Sequence, residues 1–258
     1  MAMAGFVGHR HRLPSDGFYS NDGQESCPQI RQFTLSLCYS GDIAFIDEIQ
    51  EGEVEQEILA IYDEQRQPLG TLPRAVVHQQ GHWHETFHCW FFRQEGARTY
   101  LLFQRRAASK KDFPLKLDIT AAGHLLAGET VRDGVREVAE EVGITVAYHE
   151  LLPVGVIPST VEIDQLIDRE FCHVYLYHYQ APTPRFLLQQ EEVADMIAVE
   201  STQLEALFQG KTRAIEGRSC LYSFTEGPVV KIETQDLCPH PPTYAKQLMQ
   251  ALHRYAGC

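Results

Sequence analysis

Gly123-His-Leu-Leu-Ala-Gly-Glu-Thr-Val-Arg-Asp-Gly-Val-Arg-Glu-Val-Ala-Glu-Glu-Val-Gly-Ile144 is the stretch on which the reading of this 258-residue chain turns. Residues 131–142 have helical spacing, and Gly143 follows as a residue suited to end the helix. On that helix Glu137, Glu140 and Glu141 stand at i, i+3 and i+4, so their side chains share one face. Three like charges there repel one another unless something cationic sits among them. A magnesium ion suits such a cluster, because it prefers oxygen ligands and takes few carboxylates beside water and substrate phosphates. Taken alone, the three glutamates are also what an ordinary solvated acidic face looks like.

Outward from this helix the chain reads as mixed strands and helices. Ile58–Tyr62 is a short strand followed by the turn-like Asp63–Gly70. Thr86–Phe92 and Thr99–Phe103 are aromatic and aliphatic strands joined by a turn at Gln94–Gly96, and Phe171–Tyr177 is another strand. Leu204–Phe208 and Pro242–Tyr255 read as helices. This mixture predicts an α/β or α+β domain over residues 54–258, ending in helical elements. Residues 1–53 differ: they hold turn-like clusters, one short alternating stretch at Phe33–Cys38, and three basic against eight acidic residues. They read as a weakly structured extension.

The whole chain carries 22 Lys+Arg and 35 Asp+Glu, a formal net charge of −13, which argues against a surface that grips a nucleic-acid polymer along its backbone. One stretch inverts the sign. Arg105, Arg106, Lys110, Lys111 and Lys116 fall within twelve residues against the single acid Asp112. They read either as a solvated turn or as a grip on substrate phosphates. The seven cysteines are odd in number and form no CxxC pair, which predicts reduced thiols in a cytoplasmic protein. No apolar run reaches the length of a membrane span, and no secretory signal is evident. His78, His82, His84 and His88 are dense, and read as a polar wall near a pocket or as hydrogen-bonded strand histidines. Trp83, Trp90 and Phe92 read as core or pocket lining.

The opening stretch resembles the signature of the Nudix hydrolase superfamily. Gly123, Glu129, Arg136, Glu137, Val138, Glu140, Glu141, Gly143 and Ile144 match it in type, with six residues between Glu129 and Arg136 where the family has seven. Gly134 stands where the family usually has a good helix former. The resemblance implies an α/β/α sandwich around a mixed sheet and a small-molecule diphosphate substrate cut by water, with magnesium, or manganese in its place, as cofactor. It implies Glu137 and Glu141 as direct metal ligands and Glu140 as a direct or water-mediated one. It implies a catalytic carboxylate among Glu140, Glu141 and Glu192 (or the neighbouring Glu191), and Arg136 pairing with Glu129 to hold the loop of Gly123 against the helix that Gly143 ends. Arg105, Arg106, Lys110, Lys111, His84 and His124 are the substrate-binding candidates, and a homodimer is compatible with all of this.

A wider set of residues, from Asp63 through His84, Gln104–Arg106 and Ser109–Lys111 to Asp118–His124, resembles the Nudix branch related to isopentenyl-diphosphate isomerase. That branch implies metal-binding histidines at His84 and His124, with Val77 at the spacing of a third and His78 beside it. It implies paired acids at Asp168 and Glu170. Its proton-transferring cysteine is Ala122 here. The expectation is therefore a hydrolase, with an isomerase-like enzyme or a degenerate diphosphate-binding module as the alternatives.

Overall fold

The computed structural model describes residues 57–163 and 166–257; the expectations for residues 1–53 lie outside them. The elements run β1 (Ile58–Tyr62), β2 (Pro68–Pro73), α1 (Arg74–Gln80), β3 (Trp83–Glu95), β4 (Arg98–Arg106), β5 (Leu117–Asp118), β6 (Ala121–His124) and α2 (Arg136–Val142). They continue as β7 (Leu152–Ile163), β8 (Leu166–His178), β9 (Val193–Glu200), α3 (Ser201–Phe208), β10 (Ala214–Ser219), β11 (Val229–Glu233) and α4 (Pro242–Ala256).

β3 organises the sheet because its aromatic and β-branched residues are buried on both faces. One edge pairs in parallel with β8, from Trp83 opposite Arg169 to Phe92 opposite His178. The other edge is shared, antiparallel, between β6 at Thr86–Cys89 and β4 at Phe91–Glu95. From there the order runs β4, β9, β10, β11 on one side and β1, β2 on the other, while β7 closes a long hairpin with β8. Alternation along β3 sends Phe87, Cys89 and Phe91 to one face and Trp90 and Phe92 to the other. The first face packs under Val138 and Val142 of α2. The second packs under Leu204 and Leu207 of α3 and Tyr244, Leu248 and Leu252 of α4. Full burial of each such side chain contributes roughly 1.5–3 kcal/mol. The sheet thus lies between helices on both faces, as the expected α+β sandwich. No helix among the described residues is long and apolar enough to cross a membrane.

Two local expectations need correction. Asp63–Gly70 is not all turn: its last residues already belong to β2, a mostly exposed strand with a proline at each end and therefore no alternating pattern to read. The regular helix begins at Arg136 rather than near residue 131, because Asp133–Val135 forms a 3-10 turn. Gly134 explains this entry. A Cβ there would lie 2.6 Å from Phe87 Cβ and 2.9 Å from Leu125 Cδ2, so the turn presses onto the sheet where only glycine fits.

Candidate functional site

α2 presents its apolar side to the sheet through Val138 and Val142, which turns Glu137 and Glu141 toward β6 and β4. Glu141 is only 8% exposed. Its Oε2 accepts from Gln104 Nε2 and from the backbone N–H of Ala122, both at 3.1 Å. Burial pushes its pKa up to about 8. Glu137 is also largely buried, which pushes its pKa up to about 7. Its carboxylate lies where a side chain on residue 123 would be, since a Cβ on Gly123 would come within 2.1 Å of Glu137 Cδ. Glu140 is the solvent-facing member, with its side chain 50% exposed.

Arg136 binds the loop to this helix. Its Nε and NH2 donate to the two oxygens of Glu129 at 2.9 and 3.2 Å, a bidentate pair, and NH2 also donates to the carbonyl of His124. NH1 lies 2.7 Å from Glu137 and 3.0 Å from Glu140. The shorter spacing between Glu129 and Arg136 therefore still closes the pair, with the 3-10 turn and Gly134 taking up the difference.

A second cluster faces the first. α1 brings His78, β3 brings His84 and β6 brings His124, with ring centroids 5.1–5.2 Å apart in all three pairs. From β8, Asp168 Oδ1 lies 3.6 Å from His84 Nε2 and 3.8 Å from His78 Nε2. Glu170 joins His84 and Asp168 in a group whose donor atoms lie within 4.8 Å of one another. The spacing argument that put Val77 in the histidine's place fails for a simple reason. Val77 is fully buried against Leu59 and Ile61, and the next residue along the helix turns to the cluster.

The residues present fit a divalent cation. His78 Nε2, His84 Nε2 and Asp168 Oδ1 are buried with no hydrogen-bond partner, a costly state for convergent polar atoms unless a ligand completes them. His84 Nδ1 donates to the carbonyl of His82, which leaves its Nε2 lone pair toward the cluster. Burial lowers His78 to about 4 and His84 to about 3, so both rings are neutral, the form that ligates. Burial raises the carboxyls of Asp168 and Glu170. Among the described residues Glu137, Glu140 and Glu141 do not by themselves converge as closely; the groups that do are these histidines and acids and the set His88, Glu170, Cys172.

Both clusters line one cavity of about 360 Å³, together with Arg74, Arg106, Lys110, Glu192 and His240. Arg106 NH1 donates to Asp118 Oδ2 at 2.9 Å, and Lys110 is ion-paired with Glu192. His124 also lines it, whereas Arg105, Lys111 and His84 are not among its lining residues; His84 lies buried within the histidine cluster. Sequence reasoning missed His240, and met Arg74 only as part of the resemblance to the isomerase branch, with no place in the site. His240 comes from the segment before α4 and had no local pattern to announce it. The chemistry available is that of a cation-assisted reaction on an anionic ligand, with carboxylates on one wall, nitrogen donors on another, and basic side chains, Arg106 and Lys110, each held by a carboxylate of the cavity.

The NUDIX domain model matches residues 82–221. An uncharacterised Nudix hydrolase of Clostridium acetobutylicum is 36% identical over 210 residues, covering 77% of this chain and 98% of that protein. An isopentenyl-diphosphate Delta-isomerase of Corynebacterium diphtheriae is 33% identical over 156 residues, covering 57% and 81%. A crystal structure from Deinococcus radiodurans aligns over 60% of this chain and 90% of its own, with 20% identity and a TM-score of 0.45.

Proposed function

The chain belongs to the Nudix hydrolase family, and from that premise we propose that it is a metal-dependent pyrophosphohydrolase cutting a diphosphate linkage in a nucleoside-diphosphate-type small molecule. One observation carries the reading. The helix carboxylates Glu137, Glu140 and Glu141 line the same cavity as the cations Arg106 and Lys110, so one wall can hold metal and another can hold phosphate. Magnesium, or manganese in its place, would polarise the diphosphate and make a water acidic enough to attack. Glu137 and Glu141 are the ligands best placed for it, fixed by Gly123, Gln104 and the Ala122 N–H. Arg106 and Lys110 orient the phosphates, and Glu140, Glu141 and Glu192 are the carboxylates in the cavity able to take a proton from water. Arg136 positions the helix, through Glu129 and the His124 carbonyl, and holds Glu137 and Glu140.

The test is a panel of nucleoside-diphosphate sugars, dinucleotides and simple diphosphate esters, with and without magnesium, reading released phosphate and nucleoside monophosphate. The absence of metal-dependent release across the panel would sink the proposal.

A second reading has one specific observation in its favour, the convergence of His78, His84 and His124 with Asp168 and Glu170. It is an isomerase-like use of the site. Ala122 speaks against it, since no ionisable group stands at the position of that branch's proton-transferring thiol. Isopentenyl diphosphate incubated with the enzyme should show no double-bond migration; migration without phosphate loss would reverse the ranking.

A further inference from the structure

A second, larger cavity of about 870 Å³ lies beside the first, a size ordinary for a small-molecule site. Its walls are Trp90 and Phe103 from the sheet, Leu207 and Phe208 from the end of α3, and Leu248 and Met249 from α4. Where the first cavity is walled by charge, this one is walled mainly by hydrocarbon and aromatic rings. The two are neighbours across one layer of side chains: Asp118, Cys238, Pro239 and His240 line both. His240 sits at the joint. Its ring stacks on Tyr244, 4.5 Å between centroids, and its buried Nε2 has no hydrogen-bond partner, being 3.7 Å from Asp118 Oδ1. His240 and α4 lie beyond residue 221, outside the part of the chain that the family model matches.

We propose that the apolar cavity is the subsite for a hydrocarbon group carried by the substrate, so that the substrate is an amphiphile with its diphosphate among the glutamates and Arg106 and its chain between α3 and α4. The proposal rests on the hydrolase reading for the head group and adds the class of what the head is attached to. Polar side chains such as Glu205, Gln209 and Lys246 also line the chamber, but most of its wall is apolar, and Leu207, Leu248 and Met249 offer a nucleoside's hydroxyls no partners. A hydrocarbon chain loses nothing there and gains its transfer from water. Phe208, exposed at 40%, is the apolar side chain at the outer end of the chamber.

The experiment is a calorimetric titration of the full chain, without metal, using octyl phosphate and inorganic phosphate. Octyl phosphate should bind about a hundredfold tighter or more, a discounted form of the roughly fourfold available per buried methylene. Its binding heat should become more negative on warming, the mark of apolar burial. Ala245→Trp, which fills the chamber from α4, and Phe208→Asp, which puts charge at its outer end, should each weaken octyl phosphate at least tenfold. The second, at an exposed position, keeps the test alive where the first disturbs packing. Equal affinity for the two phosphates would overturn the proposal, and so would tight octyl binding indifferent to both substitutions. Neither outcome touches the hydrolase reading, which stands or falls on metal-dependent release across the panel of nucleoside-diphosphate sugars, dinucleotides and simple diphosphate esters. In magnesium, alkyl diphosphates should show kcat/KM rising with chain length, and a flat series would likewise count against the chamber.

Discussion

The glutamate wall and the histidine wall of the cavity are built in opposite ways. Glu137, Glu140 and Glu141 come from little more than one turn of α2, so their neighbourhood is guaranteed by 3.6-residue periodicity. His78, His84, His124, Asp168 and Glu170 come from four elements, and they meet only when β3 has found both β6 and β8 in register. Yet the local cluster is the looser one. Its members range from the buried Glu141 to the half-exposed Glu140, whereas the assembled cluster brings donor atoms within 4.8 Å and leaves three of them without partners. Proximity in sequence makes a site easy to notice; tertiary closure makes it tight.

The widest separation between the two walls should come from single substitutions read on two scales. Glu141→Gln is expected to lower magnesium-dependent hydrolysis by about two to three orders of magnitude while the fold persists, since the amide keeps the shape and loses the charge. A rate within twofold of the parent would dismiss α2 as the metal helix. His84→Ala should do the reverse: metal content of the purified protein, measured by mass spectrometry, is expected to fall with an affinity loss of about 10–100-fold or more, since the residue removed is a ligand. Undiminished metal content would mean the histidine cluster is a polar wall only.

Smaller effects probe what holds the walls in place. Arg136→Lys removes the fork that grips Glu129 and should cost about 1.5–3 kcal/mol of stability by denaturant unfolding, a charge-assisted pair being the main loss. Gly134→Ala should cost about 1–3 kcal/mol, because Phe87 and Leu125 must give way beneath the new methyl. If Gly134→Ala is neutral, the close approach of turn and sheet is not what lets the short loop close.

The sequence disclosed those features whose cause is local. The helix glutamates and the aromatic strands at Thr86–Phe92 and Phe171–Tyr177 each follow from spacing within a few residues, whereas the pairing of Glu129 with Arg136 is implied only by the resemblance to the family signature. β2 escaped because Pro68–Pro73 is an exposed edge with no alternation. His78 is legible only as part of a polar wall and as the neighbour of Val77, because counting positions lands on Val77, and only packing against Leu59 tells which of the two faces the core. His240 and the apolar chamber escaped because α3, α4 and the sheet are distant in the chain, and no periodicity encodes a space left between elements.

Tyr244 ties the end of this structure to its middle. Its hydroxyl accepts from Trp90 Nε1 at 2.9 Å and meets His88 Nδ1 at 3.0 Å, partners some 154 and 156 residues earlier. A ribosome making the chain delivers β3 long before α4. Until α4 docks, the face carrying Trp90 and Phe92 has only part of its helical cover, that of α3, and His88, 3.7 Å from Glu170 in the finished molecule, lacks the group that fixes its ring. The last part of that cover, with Tyr244 at its centre, is therefore added only when the final helix of the described residues has been made.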